Sequence, residues 1–146
     1  MMRKDGSITY YTIVAKYINR DEHDAYYQKW FQHIDATTCI DWNPETKRYR
    51  DSYNEKTSYL GQYFKSNRDN PNCGGYVWQN YGPYGVTNLP AAEKWLNILL
   101  PYHQWALDKS SKENGRKTRE QKVYKKKMEC EFRIVKITKT QKTEFV

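Results

Sequence analysis

The core of this chain has to be built largely from aromatic rings, because aliphatic side chains are scarce. Apolar residues make up 38% of the 146 residues, whereas about 45–50% is usual for a globular domain. Aromatic residues alone make up 16%, with 14 tyrosines and 5 tryptophans. Buried Tyr and Trp need partners for their O–H and N–H groups, or must lie at a surface. The composition therefore predicts surface rings suited to stacking or to an interface. The length of 146 residues fits one domain with an appendage.

Positive charge is concentrated near the C-terminus. Residues 1–108 hold 12 basic and 12 acidic side chains, whereas residues 109–146 hold 13 basic and 5 acidic ones. The whole formal net charge of +8 therefore lies in the last 38 residues. Such asymmetry favours a polyanionic partner, with nucleic acid as the first candidate.

Seven cations within residues 116–127 are the candidate nucleic-acid-binding residues, and Glu120 is the single acid among them. They are Arg116, Lys117, Arg119, Lys122, Lys125, Lys126 and Lys127. Each phosphate neutralised on duplex DNA contributes about −0.9 to the slope of log affinity against log salt concentration. A solvated basic face or a disordered arm is the alternative interpretation of the same run.

Cysteine and histidine spacing predicts no metal site. Cys39, Cys73 and Cys130 form no C-x-x-C pair and no zinc-binding pattern with the three histidines. An odd number of widely spaced cysteines favours a reducing compartment, so an intracellular, cytoplasmic location is expected. No apolar run approaches the ~18–20 residues of a membrane span, so no membrane partner is predicted. Motifs of serine hydrolases, P-loop enzymes and zinc proteases are absent from the sequence.

Secondary structure is predicted from periodicity and turn residues. Runs rich in β-branched and aromatic residues predict strands over 8–18, 37–42, 57–64, 76–81 and 131–138. Helical spacing of apolar residues predicts helices over 21–34, 89–100 and 103–112. Residues 113–127 are predicted to form a basic loop or an exposed helix. The expected fold class is α+β, with a small mixed or antiparallel sheet and two main helices on one face over residues 1–112. A basic C-terminal extension with a late strand follows over residues 113–146.

The helix over 89–100 carries the clearest apolar face. Asn88 is a suitable N-cap, and Pro90 falls in the first turn, where its missing N–H costs nothing. Trp95 lies beside the four residues of the face, which are Leu89, Ala92, Leu96 and Leu99. We therefore predict that the last two leucines are buried. Pro101 is expected to end or kink the helix.

Several segments resemble the second half of a LAGLIDADG homing-endonuclease unit. The strand Tyr76-Val77-Trp78 precedes a helix that closes on Leu99-Leu100-Pro101-Tyr102, which is similar to that family's helix ending in Leu-Pro-Tyr-Leu. The joint Tyr17-Ile18-Asn19-Arg20-Asp21 and the N-terminal Asp5-Gly6-Ser7-Ile8 are similar to further parts of the family's pattern. The resemblance covers residues 5–107 loosely and 76–103 best. It implies an α+β scaffold whose sheet forms a saddle for nucleic acid.

The family's catalytic helix has no counterpart among the matching segments. The helix that brings one carboxylate per unit to the metals would precede Asp5, and only Met1-Met2-Arg3-Lys4 stand there. The leading hypothesis is therefore a nucleic-acid-binding protein on a degenerate homing-endonuclease-like scaffold, without cleavage activity and without a cofactor. One alternative is a Mg²⁺-dependent homodimeric endonuclease with Asp5 as the metal ligand. The other is a small inhibitor from a phage or mobile element, which binds a protein complex that processes nucleic acid or acts in defence.

Overall fold

Two long antiparallel strands, β1 (Ser7–Tyr17) and β6 (Cys130–Thr140), carry the main sheet. They pair continuously from Ser7 opposite Thr140 to Tyr17 opposite Cys130. Strand β5 (Gly82–Val86) pairs with the other edge of β1, and β4 (Tyr76–Gln79) pairs with β5. The computed structural model describes residues 7–20, 28–49, 60, 76–79, 82–113 and 117–140. Within them the main sheet is antiparallel with the order β4-β5-β1-β6, and the predicted α+β class is confirmed.

The remaining elements follow the chain in a simple order. After β1 come a short helix, α1 (Ile34–Thr38), and a 3-10 turn, Cys39–Asp41. A small hairpin of β2 (Trp42–Asn43) and β3 (Arg48–Tyr49) follows. After β5 come a long helix, α2 (Leu89–Lys112), and a basic helix, α3 (Thr118–Met128). Helix α2 packs against β1, β5 and β6, and α3 packs against α2.

The core side of β1 carries a branched and a small residue between two tyrosines, Tyr11 and Tyr17. Ile13 and Ala15 are 1% and 0% exposed, and they belong to one core cluster with Trp95 of α2. Ile134 and Phe132 lie opposite them on β6 and join the same cluster. Because side chains alternate along a strand, these residues share one face of the sheet. The strands predicted over 8–18 and 131–138 are confirmed, each within two residues of its bounds.

A glycine allows β5 to approach β1 closely. A Cβ atom at Gly85 would lie 2.5 Å from the Tyr11 carbonyl oxygen and 2.7 Å from the Tyr10 ring, so a larger residue would clash. Gly82, Pro83 and Gly85 are turn-type residues directly after the strand predicted over 76–81. They nevertheless belong to the second strand of the β4–β5 hairpin, and β4 itself ends at Gln79. The close backbone approach is the reason why a glycine is needed within a strand here.

Helix α2 continues through Pro101 as one helix of 24 residues. Pro101 does not end the helix, so the helices predicted over 89–100 and 103–112 are one helix. Proline removes one N–H and so frees the carbonyl of Asn97, four residues earlier. Both residues are exposed, so the freed carbonyl is on the side that water reaches. Leu99 and Tyr102 are buried on either side of the proline, and this shared packing keeps the helix continuous.

The buried stripe of α2 is centred on Trp95 rather than on leucines. Trp95 is 1% exposed, and Ala92 and Leu99 are 0% exposed, which confirms the predicted burial of Leu99. Leu89 is 42% exposed, and Leu96 is only partly buried, so the predicted face was wrong at these two positions. The helix begins as expected, because the Asn88 side chain accepts a hydrogen bond from the Ala91 N–H at 2.9 Å.

The region after β1 departs from prediction. Of the helix predicted over 21–34, residues 21–27 lie outside the described residues, and 28–33 are not α-helical. Phe31 instead forms a bridge with Ala15 through two backbone hydrogen bonds of 2.7 and 2.8 Å. The strand predicted over 37–42 was also wrong, since helix α1 and the 3-10 turn occupy most of it. The strand predicted over 57–64 lies outside the described residues except for Leu60, which is buried.

The C-terminal segment combines an exposed helix with a strand of the main sheet. Helix α3 has no fully buried residue, as expected for the exposed-helix alternative. Strand β6 follows directly and pairs with β1 along its whole length. The division into residues 1–112 and 113–146 stays a prediction. In the part of the chain that the structure describes, every helix is too short or too polar to cross a lipid bilayer.

Candidate nucleic-acid interface

Three of the seven predicted cations form a stripe along the exposed side of α3. Arg119, Lys122 and Lys126 are exposed and follow the spacing i, i+3, i+7, which places them on one helix face. We call these three residues the α3 stripe. None of them has an ion-pair partner among the described residues, so their charges face solvent. Their guanidinium and ammonium groups can therefore approach an anion without losing an existing partner.

The other four cations occupy different positions. Lys117 immediately precedes α3 and is exposed, and Lys127 is exposed near its end. Arg116 lies outside the described residues. Lys125 is partly buried, and its Nζ lies 2.8 Å from Oδ1 of Asp108 on α2. The sequence grouped Lys125 with the free cations, whereas the structure uses it to join two helices.

Local charge placement favours the helical form of α3. Glu120 lies in the first turn, and Lys125, Lys126 and Lys127 lie in the last turn. This arrangement complements the helix dipole, which is positive at the N-terminus and negative at the C-terminus. The same three lysines thus stabilise the helix that presents the stripe.

Contacts at its C-terminal half hold α3 against the rest of the fold. The Asn19 side-chain amide donates to the Lys126 carbonyl oxygen at 2.9 Å and to the Glu129 carboxylate at 3.4 Å. The Ile18 N–H donates to the Glu129 carbonyl oxygen at 3.2 Å, just beyond the end of β1. Together with the Lys125–Asp108 ion pair, these contacts fix the direction in which the α3 stripe points. A fixed cationic face loses less conformational freedom on binding than a flexible tail.

Asp108 is surrounded by cations. The hydrogen bond from Lys125 holds the pKa of the Asp108 carboxyl below its ordinary value, and the nearby charges of Lys112 and Lys47 act in the same direction. A single acid therefore lies among three lysines from three different elements. The charge of this surface remains positive beside the α3 stripe.

Sequence analysis missed a group of two histidines and one aspartate, of which His103 is buried and the other two are half-buried. His103 on α2 is 2% exposed, and its Nδ1 lies 2.8 Å from Oδ2 of Asp35 on α1. Its Nε2 accepts a hydrogen bond from the Cys130 N–H at 3.2 Å, at the start of β6. An imidazole whose Nε2 accepts carries its proton on Nδ1, which then donates to the carboxylate. His103 thus joins α1, α2 and β6.

His33 completes this group from the other side of Asp35. It is the N-cap of α1, and its Nδ1 accepts a hydrogen bond from the Asp35 N–H at 3.0 Å. Burial lowers the pKa of His33, and this effect outweighs the opposing attraction of the Asp35 carboxylate. The neutral form of His33 therefore predominates at pH 7, and its ring packs edge-on against His103 and Phe132.

The geometry of this group favours a structural role over catalysis. One ligand atom from each of His33, Asp35 and His103 lies within 4.8 Å of the others, a spacing that a metal ion could use. Both ring nitrogens of His103 already have partners, however, and a metal at either would displace a hydrogen bond that joins two elements. The neighbouring thiol offers no nucleophile either, because burial raises the pKa of Cys130 to about 12.

We expect protonation of His33 to destabilise the fold as the pH falls. Its pKa is 6.5 when unfolded and lower when folded, so below pH 6.5 the unfolded state binds more protons. The free energy of unfolding should therefore fall as the pH drops below 6.5. In His33→Asn the side-chain oxygen keeps the cap but does not titrate. Urea unfolding at several pH values should show a flatter dependence for the variant, and equal dependence for both proteins would contradict this assignment.

A second group missed by sequence analysis is an aromatic cluster beside Asp108. Trp42 and Tyr102 are buried, with ring centroids 5.4 Å apart. Trp105 of α2 packs on both, and Tyr49 of β3 lies 5.9 Å from Trp105. The Tyr49 and Tyr102 hydroxyls are hydrogen-bonded to each other. The sequence offered one signal, since Trp105 and Lys109 stand four residues apart on one helix face.

Most tyrosine rings of β1 belong to the core rather than to a base-binding surface. Tyr10 is 2% exposed, and Tyr11 and Tyr17 pack against the core cluster. Trp95 is also a core residue, as predicted. Asp5, the metal ligand of the endonuclease alternative, lies outside the described residues.

No family model, curated protein or solved structure matches this chain. The resemblance to LAGLIDADG homing endonucleases therefore stays a prediction. What the fold and site define is an α+β protein with an exposed cationic helix held against its sheet domain.

Proposed function

We propose that this protein binds nucleic acid through the exposed cationic face of α3. The observation that carries the proposal is the α3 stripe itself: three cations on one solvent-facing side, without acidic partners among the described residues. Arg119 and Lys126 are seven residues apart, which corresponds to about 10.5 Å along a helix. Measured along the axis of a duplex, the phosphates of one strand repeat about every 3.4 Å, so the stripe has the axial length of about three phosphates.

The proposed activity is binding without cleavage, and it needs no cofactor. Contacts to phosphates give affinity and position but carry no sequence information. The α3 stripe therefore supports a general nucleic-acid-binding function on its own. The degenerate homing-endonuclease-like scaffold is a separate proposal that this function does not need.

Charge reversal of the stripe tests the proposal. The triple variant Arg119→Glu, Lys122→Glu, Lys126→Glu should bind a short labelled oligonucleotide about tenfold more weakly or worse. It should also flatten the dependence of log affinity on log salt, by about 0.9 for each duplex phosphate that the protein no longer neutralises. Fluorescence anisotropy across a salt series measures both effects. Lys125 is left unchanged because its ion pair with Asp108 contributes to the position of α3.

A matched control separates the stripe from net charge. The triple variant Lys29→Glu, Arg133→Glu, Lys136→Glu reverses three exposed cations outside α3. Both variants lower the formal net charge of +8 by six. We expect the control to keep most of its affinity. An equal loss in both variants would refute a specific role for α3, and a wild-type protein that binds neither duplex nor single strand would refute the proposed function.

The same samples test the endonuclease alternative. Incubation of the wild-type protein with duplex and single-stranded substrates in Mg²⁺ should leave the strands intact on a denaturing gel. Specific products that disappear in Asp5→Asn would restore the endonuclease, because the metal generates and orients the attacking nucleophile.

A further inference from the structure

An aromatic and cationic surface lies next to the α3 stripe. Tyr49 and Trp105 form its centre, and Nζ of Lys109 lies 5.2 Å from the centroid of the Trp105 ring. Lys47 and Lys112 border it and lie close enough to Asp108 to lower the pKa of that carboxyl. We call these five residues the ring patch: Tyr49, Trp105, Lys109, Lys47 and Lys112. It combines flat rings with positive charge, the two features that bind a single nucleic-acid strand.

The Tyr49 ring is exposed and held in one orientation. It is 44% exposed. Its plane makes angles of 74° with Trp105 and 70° with Tyr102, so neither neighbour stacks parallel on it. Its hydroxyl is hydrogen-bonded to the Tyr102 hydroxyl, which lies 3.0 Å from the Thr38 hydroxyl. A ring fixed at its far end can accept a stacked base without first being ordered.

The helix that carries the α3 stripe and the helix that carries most of the ring patch are joined by an ion pair. Lys125 links them, because it follows Lys122 of the stripe by three residues and pairs with Asp108 on α2. Asp108 lies on the same side of α2 as Trp105, Lys109 and Lys112, since these residues follow the spacing i, i+3, i+4 and i+7. We expect a strand whose phosphates contact the stripe to reach the rings across this ion pair.

We infer that the ring patch stacks an unpaired base, so that the preferred ligand is a single-stranded nucleic acid or an unpaired segment. The phosphates of the same strand contact the α3 stripe. Bases within a duplex are stacked on both sides and do not present a free face to Tyr49, whereas every base of a single strand has one. This inference rests on the proposed function and adds the ligand class and the residues that select it.

Three substitutions test the stacking role. Tyr49→Ala should weaken single-strand binding by about fivefold or more, which is the lower end of the effect of losing one stacked base. Duplex binding should change by less than about twofold, because it depends on phosphate contacts alone. Tyr49→Phe keeps the ring and loses only the hydroxyl that helps to fix it, so it should lose much less affinity than Tyr49→Ala. A loss in Tyr49→Phe equal to that in Tyr49→Ala would overturn the stacking role.

Trp30→Ala is the matched control for removing an exposed ring. Trp30 is 40% exposed and lies near two cations, with Arg133 5.2 Å and Lys16 6.0 Å from its ring centroid. It is outside the ring patch, so its removal should leave single-strand affinity unchanged. A loss equal to that of Tyr49→Ala would overturn the assignment of stacking to the ring patch.

Photo-cross-linking gives a direct measurement on the wild-type protein, in case Tyr49→Ala does not fold. A single strand that carries 5-bromouracil should cross-link on irradiation to the peptide that contains Tyr49 or Trp105. Cross-links only to other peptides would overturn the inference.

The two proposals fail in distinguishable ways. If charge reversal of the α3 stripe weakens binding and Tyr49→Ala does not, the inference is wrong and the proposed function stands. If the wild-type protein binds neither single strand nor duplex, both are wrong.

Discussion

Replacement of Trp95 by alanine should lower the free energy of unfolding by about 3–5 kcal/mol, the usual cost of truncating a buried tryptophan. Trp95 is 1% exposed and lies at the centre of the buried stripe of α2. Its Nε1–H also donates to the Ala36 carbonyl oxygen at 2.7 Å, so the ring joins α2 to α1. Truncation would leave a large cavity and a buried carbonyl without its donor. Urea unfolding followed by circular dichroism measures the loss.

Two further variants show which part of Trp95 matters. Leu100 lies on the same helix but is 47% exposed, so Leu100→Ala should change the free energy of unfolding by only about 0.5 kcal/mol. Trp95→Phe keeps most of the buried ring and loses the hydrogen bond. Its loss of unfolding free energy should therefore lie between those of Leu100→Ala and Trp95→Ala. A loss below about 1 kcal/mol in Trp95→Ala would mean that the core is not centred on this ring.

The two long strands could be predicted because their signal is local. Residues 8–18 combine β-branched and aromatic side chains without a turn residue among them, and the same holds for 131–138. Their pairing with each other could not be predicted, because 112 residues separate the end of β1 from the start of β6 and periodicity carries no information on partners. The α+β class needed only the presence of both element types, and it was predicted correctly.

The errors arose where tertiary contacts outweigh local propensity. Phe31 has the spacing of a helical face, but its backbone bonds to Ala15 and its ring stacks on Tyr17 at 5.2 Å. Pro101 is a helix breaker in isolation, yet buried residues on both sides hold α2 together. In both cases packing against distant residues decides the conformation.

In the candidate sites too, local features could be predicted from the sequence and contacts between distant residues could not. The charge of the α3 stripe was predictable, because a run of cations is visible in the sequence. The ion pair that removes Lys125 from that set was not, because Asp108 lies on another helix. Tyr49 and Trp105 meet across 56 positions of the chain, and no motif connects them. Rules of residue spacing describe one helix or strand at a time, so they do not predict a site built from elements that are distant in the sequence.

The fold connects its buried polar group to the position of α3. His103 bonds to the Cys130 N–H, and Cys130 is the first residue of β6, two positions after the end of α3. Asn19 and Ile18 contact the same short connection from the end of β1. The direction of the α3 stripe therefore depends on this junction as well as on the Lys125–Asp108 pair. Damage to the junction should affect both stability and binding.

Replacement of His103 by leucine should lower the free energy of unfolding by about 3 kcal/mol. Leucine has no polar atoms, so the Asp35 carboxylate would lose its donor and the Cys130 N–H would lose its acceptor in a buried site. Loss of one partner of a buried pair costs more than the pair contributes, because the remaining polar group stays out of water. Asp35→Asn keeps an oxygen that accepts from Nδ1 of His103, so its cost should be about 1 kcal/mol.

Hydrogen exchange locates the effect of His103→Leu on the chain. The Cys130 amide should lose its protection, while amides in the middle of β6 that bond to β1 should keep theirs. A catalytic histidine would give the opposite result, since residues selected for chemistry usually add little to stability and their replacement leaves the fold intact. A stable His103→Leu protein with a protected Cys130 amide would therefore contradict the structural role. It would make the group of His33, Asp35 and His103 a candidate active site.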